Sequence, residues 1–186
     1  MYLDAFKQIT GPKDVRTGNS LLADISIVKD SLVDGEFSCI IEANGDKANS
    51  ELLDFHKDKP ELVICPAAFE IGAFSGTGYP GAPVVTCAQC YPRISTHMWT
   101  IGVAMLHEYT HWYKLMSPVM SPAFKVKGTK DRVYGPFQAR IVNGFIGAEE
   151  ARSNADSYAW LANEAWWTQA CVDKHGPLTP PLLGDN

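Results

Sequence analysis

The chain has 186 residues, enough for one domain with its own core. Its 46% hydrophobic and 20% charged residues are ordinary for a folded domain, and a net charge of -5 argues against a nucleic-acid partner. No apolar run reaches the roughly 18 residues of a membrane span, so no membrane partner is expected.

The N-terminus, Met1-Tyr-Leu-Asp-Ala-Phe, has neither the basic nor the apolar region of a signal peptide. The protein is therefore expected either to be intracellular or to be a secreted protein whose leader has been removed. Asn19 to Val33 places Leu21, Leu22, Ile25, Val28 and Leu32 at helical spacing, with Gly35 as a stop. Phe37 to Ala43 reads as a strand and Asn44-Gly45 as a turn. Asn49 is placed to cap a short helix over Ser50 to Lys57, and Glu61 to Cys65 reads as a second strand stopped by Pro66. Residues 71–83 hold four glycines and two prolines and read as a loop before a short edge strand at Val84 to Thr86. A long helix is expected from about Ser95 or Thr96 to Met116, where Pro118 and Pro122 forbid continuation. Ser117 to Pro136 reads as irregular. A last helix is expected from about Gly147 to Cys171 with a mostly apolar stripe of Ala151, Ala155, Tyr158, Ala162, Ala165 and Gln169. The whole, residues 1–186, reads as a single α+β domain with a Pro-rich tail from about residue 176 to 186.

The five cysteines, Cys39, Cys65, Cys87, Cys90 and Cys171, are too scattered for a zinc ribbon. Cys87-Ala-Gln-Cys90 lacks the βαβ setting of a thioredoxin-like motif, since Tyr91-Pro92 follows it. Two bridges and one thiol in a secreted protein is the favoured reading, with buried free thiols as the alternative.

The feature richest in chemistry lies in the long helix: His107-Glu108-Tyr109-Thr110-His111. Residues four apart on a helix share a face, so two imidazoles can grip one metal ion while the intervening glutamate reaches a water on it. Catalytic zinc takes a third protein ligand. No histidine follows closely; the next, His175, lies far along the chain. Carboxylates are the better candidates, and Asp131 is the first acid after Glu108. It sits in Gly128-Thr129-Lys130-Asp131-Arg132-Val133-Tyr134-Gly135, whose terminal glycines permit a tight backbone. Tyr134 places a phenol nearby, able to donate to an oxyanion.

His107-Glu108-x-x-His111 followed by Gly128-Thr129-x-Asp131-x-x-Tyr134-Gly135 resembles the aspzincin metallopeptidases, which include deuterolysin and the peptidyl-Lys metalloendopeptidases. Asn154-Ala155-Asp156-Ser157-Tyr158-Ala159 resembles a helix segment of deuterolysin, and the resemblance spans roughly Cys87 to Trp167. It implies a zincin-like α+β fold: a small mixed sheet, an active-site helix carrying the His-Glu-x-x-His motif, and a long C-terminal helix. It also implies one Zn²⁺ held by His107, His111 and Asp131, with Glu108 as general base and Tyr134 stabilising the transition state. Asp156 would line the substrate pocket. Lysine-specific members carry a second acid three residues beyond that aspartate, where this chain has Ala159, so strict lysine specificity is not implied.

The expected activity is that of a secreted, monomeric, fungal-type zinc endopeptidase acting on a peptide or protein substrate. A zinc-binding protein without turnover and a proteolytic effector with one narrow target are the competing readings; intact Glu108 and Tyr134 speak against the first. His56, His97 and His175 read as ordinary histidines, and Trp160, Trp166 and Trp167 as core and rim packing. Lys114, Lys125, Lys127, Lys130 and Arg132 read as a solvated basic face, or as one that favours acidic substrates.

Overall fold

The computed structural model describes residues 25–29, 32–33, 36–37, 39, 50–53, 58–71, 73–74, 84–90, 92–116, 128–175 and 178–180. They form a mixed structure with little sheet and much helix, an α+β arrangement. The strands are β1 (Ser26–Lys29), β2 (Leu32–Val33), β3 (Glu36–Phe37), β4 (Ser50–Leu53), β5 (Glu61–Ile64), β6 (Ala73–Phe74) and β7 (Val84–Val85). The helices are α1 (Cys87–Cys90), α2 (Ile101–His111), α3 (Tyr113–Met116), α4 (Pro136–Ile146), α5 (Ala148–Ser153) and α6 (Ala155–His175), with 3-10 turns at Pro66–Glu70 and Thr96–Met98. No described helix is long and apolar enough to cross a membrane.

The main sheet has the order β1-β5-β4, with β1 parallel and β4 antiparallel to β5. Central β5 is the apolar run Leu62-Val63-Ile64, all buried, as a strand covered on both faces should be. Two departures from the sequence reading lie here. Ser26–Lys29 and Leu32–Val33 are strands inside the segment expected to be a helix, and Ser50–Leu53 is a strand where Asn49 was expected to cap one. In both, pairing decides: β1 and β4 flank β5 in register, Ser26 opposite Glu61 and Leu52 opposite Leu62, and cross-strand bonding overrides local helix preference. The strand at Glu61 and the edge strand at Val84 stand as expected, although β7 gains a partner, β6, inside the supposed loop. Of the strand expected over Phe37 to Ala43, Phe37 ends β3 and Cys39 lies in a bend, while residues 38 and 40–43 lie outside the described residues. The Asn44-Gly45 turn, residues 19–24, residues 117–127 and the tail from residue 181 lie outside the described residues.

Helix α2 lies between the sheet and α6. Ile101, Met105 and Tyr109, spaced by four, pack onto a core of Ile25, Leu52, Leu62, Ile64, Ala68, Trp112, Leu115, Met116 and Tyr158. Its other side, with Ala104, His107 and His111, is also buried. A second core joins Ile94, Met98, Trp160, Trp167 and Cys171, whereas Trp166 stays at the rim. Asn163 and the Trp167 indole N–H both donate to the Met98 carbonyl, at 3.0 and 3.1 Å, tying α6 to the approach of α2.

The expected long helices are each broken. The first becomes the 3-10 turn, α2 and α3, interrupted at the extended Trp112. The last becomes α5 and α6, interrupted at Asn154. Helix α4 was not foreseen; it starts at Pro136, directly after Gly135 at φ 86°, and ends at Gly147 with φ 91°. Two disulfides, Cys39–Cys65 and Cys87–Cys171, meet the expectation of bridges.

Candidate metal centre

The site is assembled from α2, the loop 128–135 and the start of α6. Four residues of separation on α2 bring the His107 and His111 rings to 5.1 Å between centroids. The loop reaches them because Gly128 meets the end of α2: a Cβ on Gly128 would lie 2.1 Å from the His111 carbonyl oxygen. The Thr129 N–H then donates to the Thr110 carbonyl at 3.0 Å, satisfying a helix-end acceptor that the break at Trp112 leaves open.

Asp131 is delivered by this docking. Its Oδ1 is 2.9 Å from His107 Nε2 and 3.4 Å from His111 Nε2, and the three candidate ligand atoms lie within 4.8 Å of one another. Ligands of a tetrahedral zinc at about 2.0–2.1 Å stand about 3.3 Å apart, a spacing these two distances bracket. The donor set, two imidazole nitrogens and one carboxylate oxygen, suits a catalytic zinc. His107, His111 and Asp131 thus form a possible metal-binding triad.

Behind the ligands, each Nδ1 is held. His107 Nδ1 is 2.5 Å from Asp156 Oδ1, and His111 Nδ1 is 3.1 Å from the Thr129 carbonyl oxygen. Both rings are therefore turned with Nε2 toward Asp131, the arrangement in which an outer acceptor orients a metal-binding histidine. Asp156, expected to line a substrate pocket, is instead 2% exposed: its other oxygen accepts the Gly135 N–H at 2.7 Å. It is a buried carboxylate that joins His107, a candidate ligand, to the end of the loop 128–135.

Glu108 lies between α2 and β4. Its Oε2 is 4.0 Å from His111 Nε2 and accepts the Leu52 N–H at 3.1 Å. Tyr134 is 53% exposed, and its ring stacks 6.0 Å from that of His107 with planes 15° apart. With Asp131 half open to solvent, these two mark the mouth of the site. Trp99 closes the inner side, edge-on to His107 at 6.2 Å and 5.3 Å from Trp160.

Charges here are strongly coupled. Burial opposes a charge on His107, but the Asp131 and Asp156 carboxylates outweigh it and push its pKa up to about 10. His111 moves up as well, burial being outweighed by Asp131. Burial pushes Glu108 up to about 7, against the pull of the two histidines. Burial also acts to raise Asp131, yet both histidines hold it well below the carboxylate range. Two imidazoles that face one carboxylate through Nε2 form a cluster able to exchange protons for a metal ion.

Several residues that build the site were given no role of their own by the sequence reading. Asn154, fully buried at the break before α6, accepts the N–H groups of Arg132 and Val133 at 3.0 and 3.1 Å and donates to Ser157 Oγ at 3.2 Å. Lys130 N–H donates to the Ser153 carbonyl, and Ala155 N–H to the Lys130 carbonyl, so the α5–α6 junction clamps the loop on both sides of Asp131. The available signal was Asn154 at a helix start, ahead of Asp156 in the first turn. Thr110 and Thr129, also missed, are buried and joined at 2.7 Å. Of the basic face, Lys114 pairs with Asp58 at 3.1 Å and Arg132 with Glu150 at 2.7 Å, while Lys125 and Lys127 lie outside the described residues. His97 is exposed, His175 ends α6, and His56 is outside the described residues. No protein-family model, curated protein or solved structure matches this chain.

Proposed function

We propose that the protein is a secreted zinc endopeptidase with a zincin-like domain of the aspzincin type. The observation that carries this reading is the convergence of His107 Nε2, His111 Nε2 and Asp131 Oδ1, with the Glu108 carboxylate 4.0 Å from the same cluster. A purely structural ion-pair cluster has no use for a fourth group held at that distance by a backbone amide. Zinc bound there would supply a Lewis acid that lowers the pKa of a water to about 7.

The chain's own residues do the rest. His107, His111 and Asp131 hold the ion. Glu108, its Oε2 held by the Leu52 N–H at 4.0 Å from His111 Nε2, takes a proton from the attacking water and delivers it to the leaving amine. Tyr134, exposed at the mouth, is placed to donate its phenolic O–H to the oxyanion. Strand β4, an edge among the described strands, borders Glu108 and offers backbone groups to an extended peptide. The two disulfides support an extracellular location.

The test is cleavage of a mixed quenched-fluorescent peptide library, with zinc content determined on the same sample. Turnover that vanishes with a chelator and in Glu108→Gln is the expected result. One bound zinc without cleavage would move the assignment to a metal-binding protein or a narrow-target effector. No bound zinc would refute Asp131 as third ligand.

A further inference from the structure

Two threonine hydroxyls beside the metal ligands have no part in the chemistry above, yet their hydrogen bonds can run in only one direction. Thr110, fully buried on α2 between the two histidines, has its Oγ1 2.7 Å from the His107 carbonyl oxygen. A carbonyl only accepts, so the single Thr110 proton is committed there. Thr110 Oγ1 also lies 2.7 Å from Thr129 Oγ1, and it must therefore accept from Thr129. Thr129 has then used its own proton. Its Oγ1, 3.2 Å from His111 Nδ1, can only accept from that nitrogen, as can its carbonyl oxygen at 3.1 Å. Each step fixes the next, from the His107 carbonyl to the His111 ring.

We propose that Thr110 and Thr129 form a one-way hydroxyl relay that holds the His111 ring with its proton on Nδ1 and its lone pair on Nε2, the nitrogen facing Asp131. They are positioning residues: neither supplies a ligand atom. The inference rests on the metal-site reading given above and adds to it the reason why His111 is ready to bind. His107 has the same constraint from Asp156, a carboxylate that only accepts; among the described residues His111 Nδ1 has no carboxylate partner, and the Thr129 carbonyl and the relay serve together in its place.

The order of the relay makes an unequal prediction for two nearly isosteric changes. In Thr110→Val the Thr129 hydroxyl loses its acceptor. Buried and still holding a proton, it finds His111 Nδ1 as the nearest acceptor, and this favours the tautomer with the proton on Nε2, which cannot bind metal. In Thr129→Val no misdirected donor arises, because the hydroxyl is gone and the Thr129 carbonyl still accepts from Nδ1. Thr110→Val should thus be the worse change, although Thr129 is the residue bonded to the ligand. A role in packing alone gives no such order.

The experiment measures zinc affinity by chelator competition for wild type, Thr110→Val, Thr129→Val and Thr110→Ser, with thermal unfolding of the same samples. Imidazole ¹⁵N spectra of the zinc-loaded wild type are recorded in parallel. Expected are a loss of about tenfold or more for Thr110→Val, within the range for residues that support metal ligands, a smaller loss for Thr129→Val, and near-complete rescue by Thr110→Ser. The spectra should show His111 bound through Nε2 with a proton on Nδ1. Equal losses that follow thermal stability, or a full loss for Thr129→Val alone, would overturn the relay while leaving the metal site standing. Zinc on His111 Nδ1 would overturn it even if Thr110→Val fails to fold. A wild type that binds no zinc would overturn the metal reading, and the relay with it.

Discussion

The roles of the ligand-side carboxylates separate at single positions. On the proposed function, Glu108→Gln keeps the shape and the acceptor for the Leu52 N–H but removes the base, so zinc content should be retained while turnover is lost. Asp156→Asn should leave the fold nearly intact and weaken zinc binding about tenfold to a hundredfold, since the amide cannot accept from both the His107 ring and the Gly135 N–H; chelator competition reads this directly. The metal-free protein should also respond to pH in a defined sense. His107, raised from 6.5 to about 10, contributes stability that is complete below pH 6.5 and lost as pH climbs through 10. Glu108, raised from 4.5 to about 7 by burial, favours the protonated fold, so its contribution is lost as pH rises through 7. Asp131, held low, adds stability above pH 3.8 that is lost only in strong acid. The thermal midpoint in chelator should therefore fall from about pH 5 toward pH 10, whereas apparent zinc affinity should rise over that range as the displaced protons become easier to lose.

At the scale of elements, the metal loop is the part most exposed to single changes. Gly128→Ala places a methyl against the His111 carbonyl, in backbone that cannot yield without withdrawing Asp131; a cost of about 1–3 kcal/mol in denaturant unfolding, together with weaker zinc binding, is expected. Asn154→Ala strands the N–H groups of Arg132 and Val133 and should lower zinc affinity more than helix content measured by circular dichroism. Here too lies the division between what the residues announce and what they do not. His107, Glu108 and His111 are legible because helical periodicity alone puts them together, and Asp131 because the glycines around it limit the alternatives. Asn154 and the threonines are not, because each acts on a segment about 20 residues away and only the folded chain defines the distance. Asp156 was picked out from the segment Asn154 to Ala159, but its direction was not, since a helix residue faces a pocket or a ligand according to how the helix is docked. Ser50 to Leu53 carries no strong strand signal; it becomes β4 because β5 has an edge to fill. Helix α4 went unread although Pro136 after Gly135 is a start signal, because Gly144 and Gly147 obscure its end.

For the whole molecule, α6 is the spine. Its first turn supplies Asp156, its middle packs Trp160 and Trp167 into the second core, and Cys171 near its end is bonded to Cys87 across 84 residues of sequence. Closing a loop of that length restricts the unfolded chain, and replacing both cysteines by serine should cost about 4 kcal/mol in denaturant unfolding. If zinc binds as proposed, addition of the metal should recover part of that loss by mass action, and removing the bridge should make the thermal midpoint depend more visibly on zinc concentration.

The clamp at Asn154 also bears on when the site comes into being. His107, Glu108, His111 and Asp131 all precede it in the chain, yet the Asn154 side chain that accepts the Arg132 and Val133 N–H groups beside Asp131, and the Asp156 carboxylate that orients His107, come only at and after that junction. A polypeptide emerging from the ribosome would carry every proposed metal ligand for some time without a site to put them in. On the proposed function, hydrolytic competence arrives only with the docking of α6, so an unfinished chain is spared its own chemistry.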